Sequence, residues 1–338
     1  MRRLITFLVL LCIPALSYAQ NVASPTLNSV RDRGTVVCGV DDDFDGFAKA
    51  NSLGEYAGFS IDLCRAISAA IFADSDKTEF ISGDADDVFP DLLNRRFDVL
   101  LRNTTWTLSR EASVGDFTGI YYYDGQGFMA WKRAQVRSAL ELDNISLCVH
   151  NDPDVETNAA NYFSVNQLRY KPVPFATANE ANEAYSDGLC DALTANQSTL
   201  AALRSRQDDP NAHRILSAVV SKEPLGAMVR ANDKTWANLV RWSLYCMINA
   251  EELGITKDNI GNIGADDSIN LQRLAGLTGD YGEQLGLDNT WCADIIRTVG
   301  NYGESYERHL GEASQINLPR GFNNLWINGG LIFAPPIR

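Results

Sequence analysis

FDVLLRN at residues 97–103 and CDALTAN at residues 190–196 decide the fold, because they close two stretches of chain that read alike. In each, an aspartate leads into a short apolar run, and an asparagine stands five residues after it: Asp98 to Asn103, Asp191 to Asn196. Upstream of the first lies TVVCGV (35–40), a β-branched strand entering the acidic loop DDDFDGF (41–47). A helix follows, with Leu63, Ile67 and Ile71 at four-residue spacing on one face. Upstream of the second lies ISLCVHND (145–152), again strand then loop, then a helix over about 155–163, a strand near 170–175 and a helix over 179–186. Strands alternating with helices imply parallel sheets with crossover connections. Such sheets bind ligands beyond the carboxyl ends of their strands, so two similar α/β lobes would face one cleft.

The chain must pass between the lobes and return. YYYDGQGFMAW (121–131) is an extended aromatic stretch leaving the first lobe, and SKEPLGAMVR (221–230) is its return partner. Two crossing strands make a hinge, since domain closure concentrates dihedral change at a few positions. The reading divides the chain into a leader over 1–19, lobe one over 20–127, lobe two over 128–223, and a return to lobe one with a C-terminal extension over 224–338. By composition, the Gly/Pro-rich end GGLIFAPPIR packs against the outside of lobe one.

The first twenty residues, MRRLITFLVLLCIPALSYAQ, carry two arginines, an apolar run from Leu4 to Leu16 and a small-x-small site ending at Ala19. That is the pattern of a cleaved secretory signal. A membrane anchor would need roughly 18 or more apolar residues. The formal charge of −14 argues against a nucleic-acid partner, which needs clustered Lys and Arg. Removing the leader with its Cys12 leaves Cys38, Cys64, Cys148, Cys190, Cys246 and Cys292. An even number in an exported chain suggests up to three disulfides, with 15 pairings open from sequence alone.

The motifs then become specific. GTVVCGV (34–40), GFSIDLCRAISAAIF (58–72), FDVLLRNTTWTLSREAS (97–113), FTGIYYYDGQGFM (117–129) and NNLWINGGLIFAPPIR (323–338) resemble the periplasmic substrate-binding proteins of bacterial polar amino-acid ABC transporters, particularly the general L-amino-acid branch. The resemblance implies a type II periplasmic-binding-protein fold, with each lobe a mainly parallel sheet flanked by helices. It also implies release into the periplasm as a monomer, no cofactor, and docking on an ABC permease in the inner membrane. It suggests disulfides Cys38–Cys64 and Cys148–Cys190, leaving Cys246 and Cys292 as a candidate third pair. It places the ligand's α-carboxylate on Arg110, with Asn103 and Thr105 offering donors beside it. A guanidinium is planar, permanently charged and bidentate toward carboxylates. Trp106 is read as core and Arg102 as structural. Asp41 and Phe44, on the acidic loop, are candidate contacts for the rest of the ligand.

Two departures from the family pattern bear on the ligand. Where relatives carry a Gly-Thr-Thr type turn, this chain has Asp152-Pro153-Asp154, and proline has no N–H to donate. Where amino-acid binders use an aspartate to hold the ligand's ammonium, it has Asn196. Charge-assisted hydrogen bonds are worth roughly 1.5–3 kcal/mol against about 1 for neutral ones, so the change would lower affinity on the order of tenfold. Two readings follow: an amino acid whose ammonium is held by Asp152 or Asp154, or a receptor for a different ligand. Asp41, Asp42, Asp43 and Asp45 facing Asp152 and Asp154 would make an acidic cleft suited to a cation. The opening D-x-D-x-D-G of that loop imitates a calcium site, but Ser52 stands where the bidentate glutamate is needed. A lyase or dehydratase on the same fold would need a carboxylate acid or base, and no Ser-His, Cys-His or phosphate-loop arrangement accompanies one.

Overall fold

The computed structural model describes residues 24–83 and 87–338. The leader, with its cleavage site after Ala19, lies outside the described residues.

Two five-stranded sheets are built to one plan. In the first, Thr78–Ile81, Val36–Gly39 and Val99–Leu100 run parallel, and Glu223–Val229 and Asp116–Asp124 complete the order antiparallel. In the second, Tyr170–Phe175, Ile145–His150 and Ala192–Asn196 run parallel, followed by Gln126–Trp131 and His213–Ile215, again antiparallel. Each sheet is therefore mixed: Glu223–Val229 and Gln126–Trp131 run against their three parallel neighbours, while the outermost Asp116–Asp124 and His213–Ile215 run with them again. A small three-stranded sheet of Asp43–Phe44, Ala48–Ala50 and Tyr56–Ala57 stands on the acidic loop.

The outgoing crossing is short: Asp124 ends one strand, Gln126 begins the next, and Gly125 lies between. A Cβ at Gly125 would meet Val219 Cγ1 at 2.3 Å and the Ser221 carbonyl oxygen at 2.6 Å. The two crossing segments thus approach so closely that only glycine fits. Gln126 N–H donates to the Ser221 hydroxyl at 3.0 Å, and that hydroxyl donates to Glu223 at 2.8 Å, so both strands are tied at the point where they must bend together.

Lobe one is held by the helix Phe59–Phe72, whose Ile61, Leu63 and Ile67 are buried, as the four-residue spacing predicts for the last two. The C-terminal helices Trp291–Thr298 and Tyr302–His309 cover it. Tyr302 and Tyr306 pack edge-on against Phe59 at 5.2 and 5.9 Å. Asp62 of the same helix, almost fully buried, accepts from Ser305 and pairs with Arg308 and His309. Disulfides join Cys38 to Cys64, Cys148 to Cys190 and Cys246 to Cys292, closing loops of 26, 42 and 46 residues. By the chain-entropy estimate each contributes about 3.5–4 kcal/mol. The third fastens the helix Lys234–Glu252 to Trp291–Thr298, joining the extension to lobe one covalently.

Candidate functional site

The stretch from Asn103 to Arg110 turns the end of strand Val99–Leu100 into the helix Leu108–Ser113. Thr107 caps that helix by accepting the Arg110 N–H at 3.3 Å. The Arg110 side chain curls back, so that Nη1 donates to the Thr105 carbonyl at 2.8 Å while the guanidinium lies 5.8 Å over the Phe89 ring. One edge of the fork is thereby fixed by the backbone, and among the described residues Arg110 forms no ion pair. A half-buried guanidinium held in place without a carboxylate is suited to receive one.

Asn103 has a left-handed backbone (φ 48°), which asparagine tolerates better than most residues. Its Oδ1 accepts from the Tyr121 hydroxyl at 2.9 Å and from Ser60 at 3.4 Å. These bonds orient the amide so that Nδ2 is buried with no partner among the described residues. An orphaned buried donor costs about 1–3 kcal/mol, and an incoming acceptor would relieve it.

Thr105 differs from expectation. Its hydroxyl donates to Glu223 Oε2 at 2.9 Å, on the returning hinge strand, so it can only accept from a ligand. Trp106 stacks on Phe117 at 5.0 Å and is half-buried in the lobe-one core, with its indole N–H on Glu111 at 2.9 Å. Arg102 is structural: its Nε donates to Asp41 at 2.6 Å and Nη1 to the Gly83 carbonyl. Asp41 is therefore committed to Arg102. Burial pushes its carboxyl up from the usual value, and the arginine opposes that rise. Phe44, half-buried, stacks on the fully buried Phe47 at 4.9 Å.

In lobe two, the Asp152-Pro153-Asp154 turn is the N-terminus of the helix Pro153–Val165. Asp152 Oδ1 accepts from Asp154 N at 2.8 Å and Val155 N at 3.3 Å, and proline fills the first helical position. The protein's own carboxylate thus occupies the N–H groups that an anionic ligand could otherwise use. Asp152, expected as a candidate partner for a ligand's ammonium, thus has one carboxylate oxygen engaged in the cap, which fixes the side chain's orientation. Asp154 is exposed. His150 lies close by, Nε2 4.0 Å from Asp152, and burial lowers its pKa, so it is neutral near pH 7.

Asn196 ends the strand Ala192–Asn196 with no capping bond from its side chain, and pairs in register with Gln126. Directly opposed residues of an antiparallel pair project to the same face. Gln126, 1% exposed, donates through Nε2 to the Val155 carbonyl and the Thr194 hydroxyl, both at 3.0 Å. Thr194 in turn donates to the Gly127 carbonyl at 2.8 Å, so its hydroxyl accepts from Gln126. The amide cannot flip, and Oε1 is left buried without a partner among the described residues. Sequence reasoning missed Gln126 and Tyr121. The only signal was two polar-tipped side chains inside the aromatic crossing stretch, and their partners lie 18 to 68 residues away.

The acidic cleft is also corrected. Asp43 and Asp45 are engaged by Lys49 and by Arg206, a lobe-two residue, and Asp41 by Arg102. Only Asp42 of that loop is exposed without a described cation beside it. A cationic ligand would have to displace guanidinium groups already in place.

Two hinged α/β lobes, with a guanidinium and amides at their strand ends left without partners among the described residues, define a protein that encloses a small polar solute. The chain belongs to the bacterial extracellular solute-binding proteins, family 3, whose model matches residues 36–259. It is 42% identical over 323 residues to the general L-amino acid-binding periplasmic protein AapJ of Rhizobium johnstonii, covering 95% of each chain. It is 41% identical over 320 residues to the glutamate/glutamine/aspartate/asparagine-binding protein BztA of Rhodobacter capsulatus, covering 94% of each. A solved periplasmic binding protein from Brucella ovis with glutathione bound superposes with TM-score 0.85 at 45% identity, over 93% of this chain and 99% of that one. The described residues contain no helix long and apolar enough to cross a membrane.

Proposed function

We propose that the chain captures an amino-acid-like solute in the periplasm, after cleavage near Ala19, and delivers it as a monomer to an ABC permease of the inner membrane, without chemical conversion. Lobe one grips the solute's α-carboxylate through the second edge of Arg110 and the Asn103 amide. Lobe two accepts its ammonium on two neutral carbonyl oxygens, those of Asn196 and Gln126. The observation that carries this reading is the buried Asn103 Nδ2, without a partner among the described residues, in the same short turn as an Arg110 that forms no described ion pair. A carboxylate satisfies both.

A larger ligand with the same head group is a second reading. Glutathione begins with an α-amino, α-carboxyl end, and the Brucella protein similar to this chain was solved with it. A thermal-shift panel of L-amino acids, glutathione, dicarboxylates and polyamines separates the readings. A ligand at 100 times its dissociation constant stabilises by about 2.7 kcal/mol. Shifts from compounds carrying the α-amino, α-carboxyl pair support the proposal. A response confined to polyamines would overturn it, as would turnover of a shifting compound seen by mass spectrometry.

A further inference from the structure

The helix Gln197–Ser205 of lobe two starts at the hinge, where Ser198 bonds Asp124, and ends against lobe one at two points. At its C-terminal cap, Arg206 forks onto the acidic loop: Nη1 reaches Asp43 Oδ2 at 3.1 Å, Nη2 reaches Asp43 Oδ1 and carbonyl oxygen, both at 2.8 Å, and Nε engages Asp45. Lys49, paired across the small sheet, holds Asp45 at 2.6 Å and fixes the carboxylates from behind. Two residues earlier, Arg204 Nη2 donates to the carbonyls of Ile316 and Asn317 at 2.7 and 3.0 Å. Those carbonyls belong to the C-terminal extension, beyond residue 259 where the family match ends. Between hinge and arginines, Ala201 is fully buried within the apolar cluster of lobe one.

We propose that Arg204 and Arg206 form an interlobe clasp that holds the cleft closed, and that the C-terminal extension supplies one of its two anchor points. A hinge that opens must separate these contacts, because each joins a lobe-two side chain to a lobe-one segment. Arg206 therefore occupies the guanidinium-binding loop that sequence alone would offer to a cationic ligand. The extension is placed to act. The Asn323 side-chain amide accepts from the Tyr123 N–H at 2.6 Å and donates to the Tyr123 carbonyl at 3.0 Å, and the Tyr302 hydroxyl donates to the Tyr121 carbonyl at 2.9 Å. It thus braces the strand that leads into Gly125 and presents the Ile316–Asn317 carbonyls to the helix that moves. Closure favoured by protein contacts shifts the two-state balance before any solute enters, which raises apparent affinity by enlarging the competent fraction.

The test is single-molecule energy transfer on the mature chain without added ligand, using dyes on azide-bearing residues placed at the exposed positions Leu53 and Val165. Arg206→Gln is expected to raise the open fraction about fivefold at low salt, the scale of a paired, half-exposed charge network. Arg204→Gln should raise it too. Arg206→Lys, which keeps the charge, should leave the open fraction between those of the wild type and Arg206→Gln, which separates clasp loss from local damage. An open fraction unchanged by Arg206→Gln, or one equally raised by Lys and Gln, overturns the clasp. No change with Arg204→Gln removes the extension from it.

Discussion

The Tyr121 hydroxyl holds Asn103 by two of its atoms, donating to Oδ1 at 2.9 Å and accepting the backbone N–H at 3.1 Å. Tyr121 is fully buried, and burial keeps its phenol protonated far above the usual range. The hydroxyl thus fixes both the left-handed turn and the direction of the orphaned Nδ2. Tyr121→Phe removes both bonds and leaves Asn103 free to turn its amide inward. The expected result is a loss of about 1–3 kcal/mol in stability, read by denaturant unfolding. Affinity should also fall for whichever panel compound binds best, by more than Ser60→Ala lowers it.

Arg110→Ala should abolish binding of any carboxylate ligand found in the panel, whereas Arg110→Lys should retain a small fraction of it. An ammonium keeps the charge but cannot bridge the Thr105 carbonyl and a ligand oxygen with one planar fork. Retained affinity in the alanine variant, measured by calorimetry, would contradict the assigned role.

The alternation of strands with helices and the buried helix face were legible because they depend on local pattern. FDVLLRN and CDALTAN end strands that occupy equivalent places in the two sheets. What could not be read was which charge meets which. Asp43 and Asp45 look like a ligand site until Arg206, some 160 residues later, folds onto them, with the Arg206–Asp43 and Arg206–Asp45 separations being 163 and 161. Asp152 reads as a replaced ligand contact, and its spacing does not show that one of its oxygens caps its own helix. Short polar side chains take roles from the nearest unsatisfied backbone group, and spacing in sequence does not report that.

Asn196 stands beside a locked acceptor, Gln126 Oε1, so the ammonium pocket is polar but uncharged. Asn196→Asp adds a charge where only dipoles act. Affinity for ligands carrying an α-ammonium should rise about tenfold, following the gap between neutral and charge-assisted hydrogen bonds. Des-amino analogues should gain nothing or bind more weakly. Equal gains for both classes, measured by calorimetry at one salt concentration, would place the ammonium elsewhere.

Asp124 sits at the hinge with both carboxylate oxygens engaged: Gly125 N–H donates to Oδ1 at 2.9 Å, Ser198 N–H donates to Oδ1 at 3.3 Å, and the Ser198 hydroxyl donates to Oδ2. Complete burial, opposed by those bonds, raises its pKa from 3.8 to about 6. The folded state therefore binds more protons than the unfolded chain within that interval, so stability falls as pH rises from about 4 to about 6 and then levels off. The full shift corresponds to about 3 kcal/mol as an upper bound. Asp124→Asn cannot ionise and keeps an acceptor for the two backbone N–H groups. It should flatten the fall between those pH values and match or exceed the wild type at pH 7, provided the Ser198 hydroxyl turns to accept from the new amide. Melting temperatures recorded across that range, with the wild type alongside, test this directly. If both proteins show the same slope, the hinge carboxylate is already ionised when folded and the dependence arises from another group.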